Sequence, residues 1–279
     1  MKTANMISRY SGMLALACML AITGCAELGR PVRPADVSEI HPGILAGYLQ
    51  PETLPNSLAL IPPPPAEGSA ALAYDEEVSR KSLALLGTPR WEMAAEDAKL
   101  MFPEAANTFS CALGIPITEK DTPHLYMLLR RTLADAGLCT YTAKNNYQRM
   151  RPFMVNDGPI CTPKEEEGLR KDGSYPSGHT AIGWAWALIL TEIVPDRADA
   201  ILARGRAFGE SRNICNVHWH SDVVEGRFMG SAAVARLHAD PAFLEEMAAA
   251  KAECATLRAK GLEPARDCEA EAEALAGGL

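Results

Sequence analysis

Basic charge is in short supply in this chain of 279 residues: 27 lysines and arginines stand against 35 acids, a formal net charge of −8 at pH 7. A surface with that balance repels a phosphodiester backbone, which excludes nucleic acid as a partner class. Metal-ligand spacings are missing as well. No Cys-x2-Cys, His-Glu-x2-His or calcium-loop pattern occurs, and His218 and His220 form the only close histidine pair. His218, His220 and Asp222 are the one conceivable ligand trio, and Arg212 nearby would repel a cation from it. Long apolar runs are confined to the first 25 residues; the later run 181–190 is far below the ~20 residues that a bilayer span needs. Period-two alternation is rare, which leaves little room for sheet.

The first 25 residues carry Lys2 and Arg9, then an apolar core over 13–22, then Ile22-Thr23-Gly24-Cys25. This is the build of a secretory signal, too short for a membrane span, so residues 1–24 are expected to be cut away. The ending looks like a bacterial lipobox, implying lipid attachment at Cys25. Ala26 after it, where no Asp stands, implies an exported, periplasmic protein anchored to the outer membrane, by resemblance to known lipoproteins. Ordinary cleavage nearby, giving a soluble periplasmic protein, is the alternative. Removal of the segment leaves 255 residues and a formal charge of −10, enough chain for one large core.

Residues 25–70 are expected to form an extended arm, because 31–66 is rich in proline and ends in the run 62–65. Residues 71–279 read as one all-α domain. Apolar spacing of three and four predicts helices over 75–86, 91–102, 123–136, 142–151, 178–194, 198–212, 223–237 and 241–260. The polar stretch 156–172 predicts a loop and short helix; its acidic run 165–167 is either ordinary solvated surface or a filter against anionic leaving groups. Six cysteines remain beyond Cys25, a number suited to an oxidising compartment. Sequence alone leaves 15 pairings open; Cys254 with Cys268, a short loop, is the preferred single pair.

Three segments concentrate chemistry: Lys144-x6-Arg151-Pro152, Pro176-Ser177-Gly178-His179, and Ser211-Arg212-x5-His218-x3-Asp222. Seven residues is about two helical turns, which would set Lys144 and Arg151 on one face, with Pro152 ending the helix. Arginine grips two oxyanion oxygens at once, lysine acts as a point charge, and Arg212 adds a second fork. Ser177 suits a helix N-cap, Gly178 permits close backbone approach, and the free amides of a helix start attract an anion. Asp222, four residues after His218, can bond one ring nitrogen and aim the other. Together these make a pocket for a tetrahedral oxyanion, with two imidazoles to act on it.

The ordered motifs resemble the signature of the type 2 phosphatidic-acid-phosphatase superfamily. The wording of 169–180 and 209–219, with 58–65 and 237–243, is similar to the bacterial class A non-specific acid phosphatases. That resemblance implies a helical bundle and a metal-independent acid phosphatase without cofactor, acting on small phosphomonoesters of broad range and assembling as a homo-oligomer. It implies His218 as the nucleophile that becomes phosphohistidine, Asp222 as its orienter, and His179 as the acid for the departing alcohol. Lys144, Arg151, Ser177, Gly178 and Arg212 would hold the phosphoryl oxygens. Vanadium haloperoxidases share the same oxyanion site and remain an alternative, as do phosphotransfer, lipid phosphatase activity and a phosphate-binding lipoprotein without turnover.

Overall fold

The computed structural model describes residues 31–278; the signal segment and Cys25 lie outside the described residues. Its longer helices are α1 (Ala70–Leu83), α2 (Pro89–Asp97), α3 (Pro123–Leu138), α4 (Tyr141–Tyr147), α5 (Gly178–Ile193), α6 (Ala198–Ile214), α7 (His220–Leu237), α8 (Pro241–Ala259) and α9 (Cys268–Ala276). One-turn helices and 3₁₀ turns connect them. Among the described residues the only sheet is a hairpin of β1 (Glu39–His41) and β2 (Ile44–Leu45), antiparallel.

The sequence of α5 is apolar on nearly every side, from Ala181 through Trp186 to Leu190, so it can be stable only at the centre. There α3, α6, α7 and α8 surround it. Close approach of α7 depends on two glycines. A Cβ at Gly226 would stand 2.6 Å from the Ser177 carbonyl oxygen, and one at Gly230 would stand 2.5 Å from that of Ala181. The N-terminal half of α7 is thereby pressed against the start of α5, where two of the three motifs meet. A smaller cluster of Ala94, Phe153, Ile160, Ile214 and Val217 backs the far side of this junction.

The segment before α1 is laid down firmly on the bundle. Asp135 on α3 accepts the amides of Tyr48 (3.0 Å) and Leu49 (2.9 Å), Arg131 donates to the carbonyls of Ala46 and Gly47, and Tyr175 donates to the Pro62 carbonyl at 2.7 Å. These bonds hold the hairpin beside the α3–α4 corner.

Several expectations change. The helix expected over 142–151 stops at Tyr147, where Gln148 turns left-handed (φ 44°, ψ 40°); Arg151 lies beyond the break, and Pro152 precedes a new turn, Phe153–Asn156. Gly173 packs into the break: a Cβ there would stand 2.8 Å from the Lys144 carbonyl oxygen. The expected Cys254–Cys268 bridge does not form. Cys268 pairs with Cys111 and Cys161 with Cys215, while Cys139 and Cys254 are buried thiols. Cys254 points into the core from α8, so chain proximity to Cys268 is irrelevant. Helix α9 and the Glu104–Phe109 and Ser110–Leu113 turns were not anticipated.

Candidate active site

Backbone pairing brings the motifs together. The Ser177 amide donates to the Asp222 carbonyl at 2.9 Å, joining the starts of α5 and α7. After α6 the chain folds back: the amides of Val217 and His218 both reach the Arg212 carbonyl at 3.2 Å, and the Asn213 side chain donates to the His218 carbonyl at 2.9 Å. Asn216 makes this reversal in left-handed geometry (φ 59°), which asparagine tolerates. The loop carrying Arg151 is tied in by Ser174 N to Arg149 O (2.9 Å) and by the Trp219 indole to Met150 O (2.8 Å). Lys144, Arg151, Ser177, Arg212, His218 and Asp222 are all buried.

The protonation pattern of His218 follows from its partners. Its Nε2 lies 3.1 Å from an Arg151 Nη1, and arginine can only donate, so Nε2 holds a lone pair. Nδ1 then carries the hydrogen, directed at Asp222 Oδ2 3.2 Å away. Burial, with the charges of Arg151, Lys144 and Arg212, keeps the ring neutral well below its ordinary titration range. Asp222 also accepts the Trp219 amide at 2.8 Å and an Arg149 Nη1 at 2.6 Å. Burial lifts its carboxyl above the usual range, and Arg149 opposes that lift. A neutral imidazole whose Nε2 keeps its lone pair has the protonation state that a nucleophile requires.

The cradle's cations differ in what they already hold. Arg151 spends its donors on the Leu169, Asp172 and Val217 carbonyls, on His218 and on the Asp172 carboxylate at 3.0 Å. Lys144 donates to the Gly173 carbonyl (2.5 Å) and to the same Asp172 oxygen (3.2 Å); burial and Arg151 bring its ammonium down to about 8. Arg212 is fully buried, and none of its three nitrogens has a hydrogen-bond partner among the described residues. Burial lowers it to about 10, so it remains charged, and its field bears on Arg151 and both imidazoles. A buried guanidinium without hydrogen-bond acceptors has all its donors left for an anion.

At the start of α5, the Ser177 oxygen accepts from Thr180 N (3.3 Å) and the Thr180 hydroxyl (2.9 Å). Ser177 thus caps the helix from behind, and its own hydroxyl hydrogen is its remaining donor. The amides of Gly178 and His179 have no acceptor among the described residues, as expected for a first turn. The His179 ring donates from Nε2 to the Ala98 carbonyl at 3.0 Å, which leaves Nδ1 as the atom free to exchange a proton. Burial and Arg212 hold this ring, too, below its ordinary range. Gly178, His179, His218, Lys144 and Arg151 line the inner end of one hollow of about 380 Å³.

Sequence reasoning missed three residues. Arg149 bridges Asp222 to the buried Asp75 (2.7 Å) and to the Ser221 hydroxyl (2.8 Å); Asp75 in turn accepts the Ser221 amide at 2.7 Å. Asp172 sits between Lys144 and Arg151. The sequence signal was there for two of them, since Arg149 and Asp172 both lie within or beside the motifs. Asp75, on α1, carries no local sign. His220 sets its ring edge-on to Tyr74 at 5.0 Å, and among the described residues no three His, Cys, Asp or Glu side chains form a metal-holding group. Glu166 and Glu167 pair with Arg170 and Lys171 on the surface and do not border the hollow.

Comparison with known proteins agrees with this geometry. Residues 125–243 match the PAP2 superfamily. A non-specific acid phosphatase of Providencia stuartii is 48% identical over 212 residues, 76% of this chain and 86% of that protein. An acid phosphatase of Zymomonas mobilis is 43% identical over 74% of this chain and 78% of its own. A non-specific acid phosphatase of Salmonella typhimurium is 44% identical over 74% and 83%.

Proposed function

The chain belongs to the PAP2 superfamily and is an acid phosphatase, and from that footing we propose that it hydrolyses phosphate monoesters of broad range without a metal and through a phosphohistidine. One observation carries the reading: neutral His218, its lone pair at Nε2 and its Nδ1–H on Asp222, beside Arg212, a buried cation with no hydrogen-bond partner among the described residues. The cradle is built for a dianion, and the ring beside it for attack on phosphorus.

In this reading Lys144, Arg151, Arg212 and the amides of Gly178 and His179 take the phosphoryl oxygens and stabilise the charge of the transition state. His218 Nε2 forms the P–N bond as the ester P–O bond breaks, and Asp222 stabilises the imidazolium. His179 delivers a proton to the departing alkoxide, then withdraws one from the water that cleaves the P–N bond and frees phosphate. Burial and the charge of Arg212 suppress the proton affinity of His179; a bound dianion raises it, so the acid role strengthens once substrate is seated. Activity declines on the alkaline side as Lys144, at about 8, discharges. Processing before Cys25, lipidation there, periplasmic placement at the outer membrane and a homo-oligomeric state belong to the same proposal; a Cys25→Ser chain should leave the membrane fraction.

The test is p-nitrophenyl phosphate turnover in excess EDTA. Turnover should persist, and His218→Ala should remove it by about 10⁴-fold or more, the scale of nucleophile loss in covalent hydrolases. Activity that needs an added divalent cation would end the metal-free reading. His179→Ala should slow alkyl phosphates far more than p-nitrophenyl phosphate; equal losses would contradict its role as acid.

A further inference from the structure

The catalytic groups occupy only the inner end of the hollow. Its outer wall is apolar: Ile40 and Ile44 from the hairpin, Leu133 and Leu138 from α3, Tyr141 from α4 and Ile182 from α5. Apart from histidines, the charged side chains bordering it are Lys144, Arg151 and Asp172, all at the phosphoryl end. The polar atoms on this wall are those of the His41 ring and the Tyr141 hydroxyl. Apolar surface continues to the mouth, where Ile40, Tyr141 and Leu138 are 49%, 44% and 42% exposed. A monomer seldom leaves such residues grouped in water without use.

This wall bears on the part of the substrate that leaves. A second phosphate, a carboxylate or an ammonium on the alcohol would meet no counter-charge there and would lose its hydration. A hydrocarbon chain or aromatic ring would be covered instead. Resting on the phosphomonoesterase reading, we propose that the outer hollow is a leaving-group site for neutral, apolar alcohols. The hairpin and the α3–α4 corner act as its specificity elements, and the enzyme selects alkyl and aryl phosphates over esters whose alcohols are charged. Glu166 and Glu167, paired with Arg170 and Lys171 on the surface, do not border this hollow.

A homologous series of n-alkyl phosphates from ethyl to hexyl tests this, because the basicity of the alcohol is nearly constant along it and the chemical step is held fixed. Values of kcat/KM should climb about two- to fourfold per methylene, the worth of burying each one, until the chain reaches the mouth. Giving hexyl phosphate a terminal carboxylate (6-phosphonooxyhexanoate) should cancel the gain. Ile40→Asn and Leu138→Asn, both at exposed rim positions that folding tolerates, should lower hexyl relative to ethyl phosphate. A flat series, or a slope untouched by both rim variants, overturns the leaving-group site. Absence of turnover on every ester, p-nitrophenyl phosphate included, strikes instead at the phosphatase reading beneath it.

Discussion

Two arginines serve the same cradle in opposite states. Arg151 is saturated by its own protein, with carbonyls, an imidazole and the Asp172 carboxylate on every donor. Arg212, equally buried, has no hydrogen-bond acceptor among the described residues. Arg149, just outside, resembles Arg151: it neutralises two buried carboxylates, Asp75 and Asp222. The contrast separates cations whose donors the protein itself satisfies from one whose donors it does not: Arg149 and Arg151 hold carboxylates and carbonyls, whereas Arg212 is buried without a hydrogen-bond acceptor among the described residues.

Replacing each arginine by methionine should therefore move stability in opposite directions. Arg212→Met should cut kcat/KM by about 10²–10³, the scale of one lost transition-state donor. It should nevertheless raise the Tm of the phosphate-free protein, since an unpaired buried cation gives way to apolar packing. Each kcal/mol gained is worth roughly 2–4 °C in a chain of this size. Calorimetry and steady-state kinetics on one preparation decide it; a lower Tm would mean that Arg212 has partners in the resting protein. Arg149→Met should do the reverse, costing roughly 3–5 kcal/mol because Asp75 and Asp222 are left buried without a cation. If it unfolds no more readily than the parent, the bridge is idle.

Asp172 sharpens the comparison further. Its carboxylate occupies the acceptor place between Lys144 and Arg151 that a phosphoryl oxygen would take, so substrate and Asp172 compete. Because Asp172 is partly exposed, the competition is worth only about 1 kcal/mol. Asp172→Asn should then lower the inhibition constant of inorganic phosphate by roughly fivefold. A higher constant would recast Asp172 as a support that aims the two cations.

How much of this was legible before the fold was known depends on whether the cause lay near in the chain. The helix start at Ser177, the His218–Asp222 pair and the central α5 follow from spacing of three or four residues, and the structure has all three. Lys144 and Arg151 do meet, but through a left-handed break at Gln148, not along one helix. Nothing local announces that break, because it is supported by Gly173, far along the chain. Arg149 stands inside the first motif, but its bridging role depends on Asp75, 74 residues earlier in the chain, and the Cys111–Cys268 bridge spans 157 residues. The emptiness of Arg212 was the least legible feature. A sequence can show that an arginine is present, but what surrounds it is settled by packing.

The smallest expected effect is on the pH dependence of stability, and it too turns on whether the cradle is filled. His179 and His218 are held below their ordinary titration range by burial and by the cations around them. As pH falls below about 6.5, the unfolded chain takes protons that the two buried rings of the folded protein refuse. Stability therefore drops with pH in that window, by up to about 1.4 kcal/mol per unit for each ring. Asp135, lifted to about 6 by burial, and Asp222 pull the other way, so the raw Tm profile mixes signs. The difference with and without inorganic phosphate isolates the site, because a bound anion lets the imidazoles accept their protons. At a fixed phosphate concentration above its dissociation constant, the gain in Tm should be larger at pH 5 than at pH 7, and nearly absent in Arg212→Met. An equal gain at both pH values would mean that neither imidazole exchanges a proton when the cradle fills, and the acid role of His179 would have to pass to solvent.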